Sequence, residues 1–319
     1  MFDKKINLKL KKIKDLRYGE NWHQRAAFYS DEDEKKITSL VNAKQLHGKE
    51  LSLTNILDLD TALGIVKQFE KPMAVVIKHT NPCGAACDEN ITDAFKKAWA
   101  GDSLSAFGSI VGFNRAVDEE TANEISKKFV EGILAPDFDN DALEILKEKK
   151  NIRLISTGTF EKEEPKMDIK KVVGGFIVQE YDNYQLNEND LKVVTKRKPT
   201  AKEFESLLFA WKILKFVKSN AVVLAKDEQV IGVGAGQMSR IDALKVSLRK
   251  ANEMGFDTSG AVLVTDSFFP FRDSVDMANE NGIKAIMHPG GSIRDRESID
   301  ACNEHDISMI FNGIRCFRH

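Results

Sequence analysis

Residues 77–83 read Ile-Lys-His-Thr-Asn-Pro-Cys, and the adjacent Lys78 and His79 close an apolar run. Histidine exchanges protons near neutral pH, and an ammonium beside it can hold developing negative charge such as a tetrahedral oxyanion. Neighbouring side chains on a strand point to opposite faces, so the pair cannot both belong to a core pattern and falls where strand becomes loop. A Lys-His dipeptide alone is most simply a solvated strand end. The Asn81-Pro-Cys-Gly84 that follows points further, because it reads as an abrupt turn leaving backbone N–H groups at its mouth.

Cys83 and Cys87 pose a metal question. Zinc deaminases carry Pro-Cys-x-x-Cys with His-x-Glu upstream. Here the spacing is Pro82-Cys83-x-x-x-Cys87, and His79 is followed by Thr80-Asn81 without a glutamate. Cys302 and Cys316 are distant and unpatterned, so packed thiols and no metal are expected.

GVGAGQMSR (232–240) is a glycine-rich turn between an apparent strand and helix. Gly234 and Gly236 permit close backbone approach, and Gln237, Ser239 and Arg240 open a helix whose N-terminus favours an anion. It is neither a dinucleotide fingerprint nor a P-loop, and a packing turn fits it as well. DSFFPFRD (266–273) has no helical or alternating period. Its three phenylalanines, Phe268, Phe269 and Phe271, and Pro270 suit a flat aromatic ligand, with Asp273 to accept ring N–H groups; an aromatic core corner is the other reading. LRYGENWHQ (16–24) and GIRCFRH (313–319) each set an arginine near an aromatic ring, and arginine's fork matches phosphate.

These residues need elements to hold them. The chain has 319 residues, 42% hydrophobic and 30% charged, with a formal charge of -2, a globular composition with no bulk drive toward nucleic acid or anionic membrane. It carries no signal-peptide or membrane-span pattern, and four cysteines make no disulfide framework, so a cytoplasmic protein is expected. MAVVIK (73–78) reads as a strand buried on both faces, and 92–102 as a helix. A strand over 108–112, a helix over 118–132 and a strand at GILAPD (132–137) follow. Residues 160–200 look like a charged surface connection with one strand (172–180), after which a second run opens with a helix over 203–217. Such alternation implies a mainly parallel or mixed sheet flanked by helices.

The halves resemble each other. A strand with a polar turn, a helix and Asp102-Ser-Leu-Ser-Ala-Phe107 in the first parallel QVIGVGAG, a helix and Asp266-Ser-Phe-Phe-Pro-Phe271 in the second. Each half then ends a strand at a proline, Pro136 and Pro289. If this reflects duplication, the cleft between the halves is the place for a ligand.

Taken together, the motifs resemble the transformylase part of the bifunctional purine-biosynthesis enzymes that make inosinate. The matching strings are LRYGENWHQ, GKELSLTNILDLD, IKHTNPCGAA, SAFGSIVGFNR, VVTKRKPT, LLFAWKILKFVKSNAVV, GVGAGQMSR, TDSFFPFRDSVD, HPGGSIRD and RCFRH. They run in the family's order from about residue 16 to 319.

The resemblance implies formyl transfer from 10-formyltetrahydrofolate to 5-aminoimidazole-4-carboxamide ribonucleotide (AICAR). It implies that Lys78, His79 and Asn220 are catalytic, and that His79 takes the amine proton while Lys78 and Asn220 steady the oxyanion. Arg17, Tyr18, Arg315, Phe317 and His319 would bind the nucleotide with the glycine-rich turn (Gly234, Gly236, Gln237, Ser239, Arg240). Leu104, Phe107, Gly108 and Ile241, with Phe268, Pro270, Phe271 and Asp273, would hold the folate.

The implied fold is α/β, two similar metal-free cytidine-deaminase-like units. Residues 1–15 form a basic leader, 16–199 the first unit with its connection, and 200–319 the second. The implied assembly is a homodimer with active sites at its interface, alongside a separate IMP cyclohydrolase. Met1 lies about fifteen residues before the matching region, so no cyclohydrolase activity is expected of this chain. The family's common Asn-Pro-His-Gln string is Asn21-Trp22-His23-Gln24 here. A zinc deaminase, a non-catalytic binding module and a formate-plus-ATP donor are the rival readings.

Overall fold

β-Branched runs alternate with amphipathic segments, and most adopt the element their period favours. The computed structural model describes residues 2–32, 37–161 and 166–319. The first half comprises β1 (Leu10–Asp15), β2 (Ala27–Asp31), β3 (Lys44–His47), α1 (Leu53–Val66), β4 (Met73–Lys78) and β5 (Asn81–Cys87). It continues with α2 (Ile91–Gly101), β6 (Ser109–Phe113), α3 (Glu119–Ser126), β7 (Val130–Ala135), α4 (Asn140–Lys147) and β8 (Arg153–Ser156). A hairpin of β9 (Met167–Val172) and β10 (Gly175–Glu180) leads to β11 (Lys192–Val193), α5 (Ala201–Leu214), β12 (Val222–Lys226) and β13 (Gln229–Gly234). The chain finishes with α6 (Arg240–Glu253), β14 (Val262–Thr265), α7 (Asp273–Glu280), β15 (Ala285–His288), α8 (Asp295–Glu304) and β16 (Ser308–Phe311).

Among the described residues twelve strands make one mixed sheet, in the order β11-β16-β15-β14-β12-β13-β5-β4-β6-β7-β8-β3. On one side β4 pairs antiparallel with β5 and β6, β6–β7–β8 run parallel, and β3 closes the edge antiparallel. On the other, β12 pairs antiparallel with β13 and β14, β14–β15–β16 run parallel, and β11 closes its edge antiparallel. The pairing plan is the same. The halves meet at β5 and β13, whose ladder is the pair Gln229 and Ala86, reinforced by the Cys87 N–H donating to the Glu228 carbonyl at 3.1 Å.

Helices cover both faces. Helices α1 and α5 share one apolar layer that spans both halves, with Leu59, Ile65, Leu207 and Trp211 against Val75, Ile77, Val223 and Val264. On the opposite face α2, α3 and α4 pack on the first half and α6, α7 and α8 on the second. Met73 to Ile77 are all fully buried, at roughly 1.5–3 kcal/mol for each large side chain. Capping boxes start α1 (Ser52 with Asn55) and α5 (Thr200 with Glu203), each worth about 1 kcal/mol. No helix among the described residues is long and apolar enough to cross a membrane.

Three local expectations change. The segment read as one helix over 118–132 is helical only to Ser126, because Val130 onward is claimed by parallel pairing with β6. The single strand expected at 172–180 is a hairpin turning at Val173-Gly174, with Gly174 at φ +79°, where glycine is favoured. Asn81-Pro-Cys-Gly84 is not a turn. It begins β5, and the reversal falls two residues earlier, at His79-Thr80.

Candidate active site

The β4–β5 hairpin has a two-residue loop, with Lys78 opposite Asn81 and His79 and Thr80 between them at φ +52° and +60°. That is the pattern of a type I′ turn, normally filled by Asn-Gly. A histidine and a β-branched threonine in the left-handed region are costly there, and such strain gathers where a site over-determines the backbone. Asp58 of α1 supports the turn: its Oδ1 accepts the Thr80 N–H at 2.6 Å. Burial pushes the Asp58 carboxyl above its ordinary range, against the pull of that hydrogen bond and of the nearby His79 and Lys78.

Lys78 is tethered. Its Nζ donates to the carbonyls of Phe107 and Gly108, both at 2.9 Å, which leaves one of three N–H donors for another partner. The Gly108 N–H in turn donates to the Phe129 carbonyl at 2.8 Å, and the exposed rings of Phe107 and Phe129 lie 4.8 Å apart. Leu104, three residues before Phe107, is 74% exposed. His79 is exposed at the turn.

Asn220 is joined to this hairpin through Asn81. The Asn81 Nδ2 donates to the His79 carbonyl, and its Oδ1 accepts the Lys218 N–H, each at 3.0 Å. Two residues on, the Asn220 Nδ2 donates to the Gln237 carbonyl at 2.8 Å and its Oδ1 accepts from Arg240 at 2.9 Å. The glycine-rich turn therefore wraps Asn220, with the Gly236 N–H donating to the Lys218 carbonyl at 2.7 Å. Arg240 also approaches Asp266 Oδ1 at 3.6 Å, while Ser219 Oγ hydrogen-bonds Asp266 Oδ2. Gly234 serves packing: a Cβ there would lie 1.8 Å from the Ala243 carbonyl of α6. Gly84 does the same against Ala98 of α2, again at 1.8 Å. At the start of α6 the Ser239 Oγ accepts the Asp242 N–H at 3.1 Å.

The C-terminal segment docks beside Asn220. The Ser219 N–H donates to the Arg318 carbonyl at 3.0 Å, and the Cys316 N–H to the Asp266 carbonyl at 3.1 Å. Arg315 stacks over Phe317 at 4.4 Å, and the rings of Phe317 and His319 lie 5.5 Å apart. Arg17 and Tyr18 sit elsewhere, at the start of α1: the Arg17 N–H reaches the Leu51 carbonyl, and the Tyr18 carbonyl accepts the Leu53 N–H. Among the described residues no hydrogen bond joins them to the C-terminal segment. Trp22 is 88% exposed.

The aromatic stretch divides. Phe269 is fully buried, its ring 5.4 Å from His288, whereas Phe268 and Pro270 are half-buried and Phe271 is exposed beneath Arg294. Ile241 packs against the second half's core, and Asp273 begins α7, accepting the Ser274 N–H at 2.7 Å.

Cys83 and Cys87 face opposite layers. A bulge at Cys83, between the pairs Val76–Gly84 and Ile77–Pro82, turns its thiol to the α2 side, while Cys87 joins the α1 side. Burial pushes both thiols up to about 12. Among the described residues no three of His, Cys, Asp and Glu converge as metal ligands.

Sequence reasoning missed Asp58 and Phe129, and it read Asn81 only as the start of a turn. Asp58 lay in plain view in TNILDLD, but nothing local tells a helical aspartate that it will meet a turn 22 residues later.

A tethered ammonium, a presented imidazole and an oriented amide in a layered α/β chain are the parts of a group-transfer site. The chain belongs to the AICARFT/IMPCHase bienzyme family, whose model matches residues 1–250. It is 51% identical, over 98% of its length, to the bifunctional purine biosynthesis protein PurH of Caldicellulosiruptor saccharolyticus. Over its whole length it is 49% identical to PurH of Persephonella marina and 49% to that of Aquifex aeolicus. It spans 61–62% of these relatives' own lengths. A solved deaminase/reductase from Thermotoga maritima aligns over 35% of each chain at 21% identity with a TM-score of 0.25, too low to carry an argument.

Proposed function

We propose that this chain transfers the formyl group of 10-formyltetrahydrofolate to the 5-amino group of AICAR, releasing tetrahydrofolate and formyl-AICAR (FAICAR), a step in making inosinate. The observation that carries this reading, beside family membership, is the Asn81 bridge that ties the Lys78-His79 turn to the Lys218–Asn220 segment. The acceptor amine is a weak nucleophile, its lone pair drawn into the ring and carboxamide, so positioning and proton transfer are the chemistry required. A bond forms from the amine nitrogen to the formyl carbon, and the bond from that carbon to folate N10 breaks. His79 removes the amine proton. The free Lys78 donor and the remaining Asn220 N–H steady the oxyanion, and the leaving nitrogen takes up a proton.

In the same reading the nucleotide lies against Arg315, Phe317, His319 and the Gly236–Arg240 turn, and the folate ring against Leu104, Phe107, Gly108, Ile241, Phe268, Pro270, Phe271 and Asp273. No metal takes part. The shared pairing plan supports a duplication of one cytidine-deaminase-like unit, with the boundary in the connection ahead of α5 and β11 pairing within the second unit. In the same reading the protein is a homodimer, with Arg17 and Tyr18 completing the partner's site. The exposed Val173, Phe176 and Ile177 of the β9–β10 hairpin supply apolar surface for it. The protein works in the cytoplasm, and a cyclohydrolase consumes its product.

The test is tetrahydrofolate release by purified protein with both substrates, with an added cyclohydrolase drawing the reaction forward. Turnover that needs AICAR and 10-formyltetrahydrofolate supports the reading. Turnover only with formate and ATP moves the donor, and silence with both donors overturns it.

A further inference from the structure

Lys250 lies on α6, in the second half, yet its ammonium is committed to the first. Nζ is 2.7 Å from Asp102 Oδ2 and 3.1 Å from Ser105 Oγ, with the two charged side chains 22% and 9% exposed. Asp102 follows α2 and organises the turn after it. Its Oδ1 accepts the Ser105 N–H at 3.1 Å, and its carbonyl accepts the Ala106 N–H at 3.0 Å. The next two carbonyls, Phe107 and Gly108, are those that hold Lys78. One short turn thus separates the two ammonium groups. Lys78, Asp102, Ser105 and Lys250 all line a pocket of about 180 Å³ between the halves.

We propose that Lys250 is a positioning residue for Lys78, acting across the boundary between the halves by fixing the Asp102–Gly108 turn. The proposal rests on the formyl-transfer reading for its kinetic consequence. Exposed ion pairs contribute little, and a pair wanted only for stability could sit anywhere along the boundary. This one is largely shielded from water, is joined by a hydroxyl, and grips the segment whose carbonyls aim the Lys78 ammonium. Releasing it lets those carbonyls drift, and a misplacement of about 1 Å costs up to about a hundredfold in rate.

The experiment compares Lys250→Met, Lys250→Arg, Asp102→Asn and the Lys250→Met/Asp102→Asn double variant, with Lys245→Met on the outer face of α6 as control. Expected for Lys250→Met is a kcat lowered about 10- to 100-fold while KM for the nucleotide stays within about twofold. Lys250→Arg restores most of the rate, and the double variant is no slower than either single one, because both break one connection. A folded Lys250→Met protein with unchanged kcat overturns the proposal, as do additive losses in the double variant or a kcat lowered equally in Lys245→Met. If Lys250→Met does not fold, Asp102→Asn carries the same prediction.

A second readout needs no turnover. In protein labelled with ¹³C at lysine Cε, the Lys78 resonance moves in Lys250→Met and stays in Lys245→Met. That shift in Lys250→Met, found while the wild-type protein shows no transformylase activity, would overturn the functional reading and leave the positioning intact. A stationary Lys78 signal overturns the positioning itself.

Discussion

Asn81 and Lys218 are joined by a hydrogen bond across the boundary between the halves, the Lys218 N–H donating to Asn81 Oδ1 at 3.0 Å. Because the other end of the same amide holds the His79 carbonyl, one side chain sets how the Lys78-His79 turn stands relative to Asn220.

Replacing Asn81 by Ala removes both bonds and leaves a backbone N–H and a carbonyl to find water. At about 0.5–1.5 kcal/mol per bond, we expect a loss of about 1–3 kcal/mol in urea unfolding. Turnover should fall as well. An unchanged midpoint with unchanged kcat would remove Asn81 from this account.

His79→Ala should lower turnover by about 10²–10⁴, the usual contribution of a positioned acid–base group. The ring is exposed and holds no core contact, so folding and nucleotide binding by calorimetry should survive. Near-normal turnover would sink the assignment of the base.

Thr80→Gly tests the strain in the turn. A non-glycine residue in the left-handed region costs roughly 1–2 kcal/mol, partly offset by the added freedom of glycine in the unfolded chain. A net gain of up to about 1 kcal/mol in chemical denaturation is expected. A less stable variant would show that the threonine side chain earns its place by contacts instead.

Asp102 gives a pH signature. Although burial opposes it, hydrogen bonds from Lys250 and Ser105 and the Lys250 charge hold its carboxyl below the ordinary range. Its folded value is lowered, so its contribution is full above the unfolded value of about 3.9 and is lost as pH falls through the folded value. The stability difference between wild type and Asp102→Asn should therefore be flat from neutrality to about pH 4 and shrink below it. A difference that widens in acid contradicts this.

Thiol titration checks the bulge at Cys83. Burial holds Cys83, Cys87, Cys302 and Cys316 at about 12, so a disulfide reagent at pH 8 should react slowly with native protein and fully after denaturation. Rapid native reaction of both Cys83 and Cys87 would place them on an open surface.

Much of this was legible in the chain. MAVVIK announced a strand buried on both faces, and Lys78-His79 stood out because neither residue fits that pattern. Chain order already hinted at two similar halves. The turn itself was misplaced by two residues. Proline and glycine usually mark turns, yet here Pro82 enters a strand beside a bulge and Gly84 makes room for α2. The reversal falls on His-Thr, which carries no local turn signal, and its support comes from Asp58 and Asn81, whose partners the period of the sequence does not encode. The division of SFFPF into a core ring and outward rings was equally hidden, since three identical residues differ only in what the fold sets around them.

The two-residue loop has a consequence for how this protein can change. Strand neighbours alternate faces, so one residue inserted or removed at His79-Thr80 would invert Lys78 relative to its carbonyls or force β5 out of step with β13. Longer loops elsewhere tolerate insertions at small entropic cost. Here length is locked while identity is not. Variation at this tip is confined to exchange of side chains, and a library built on it should randomise residues there and leave the count untouched.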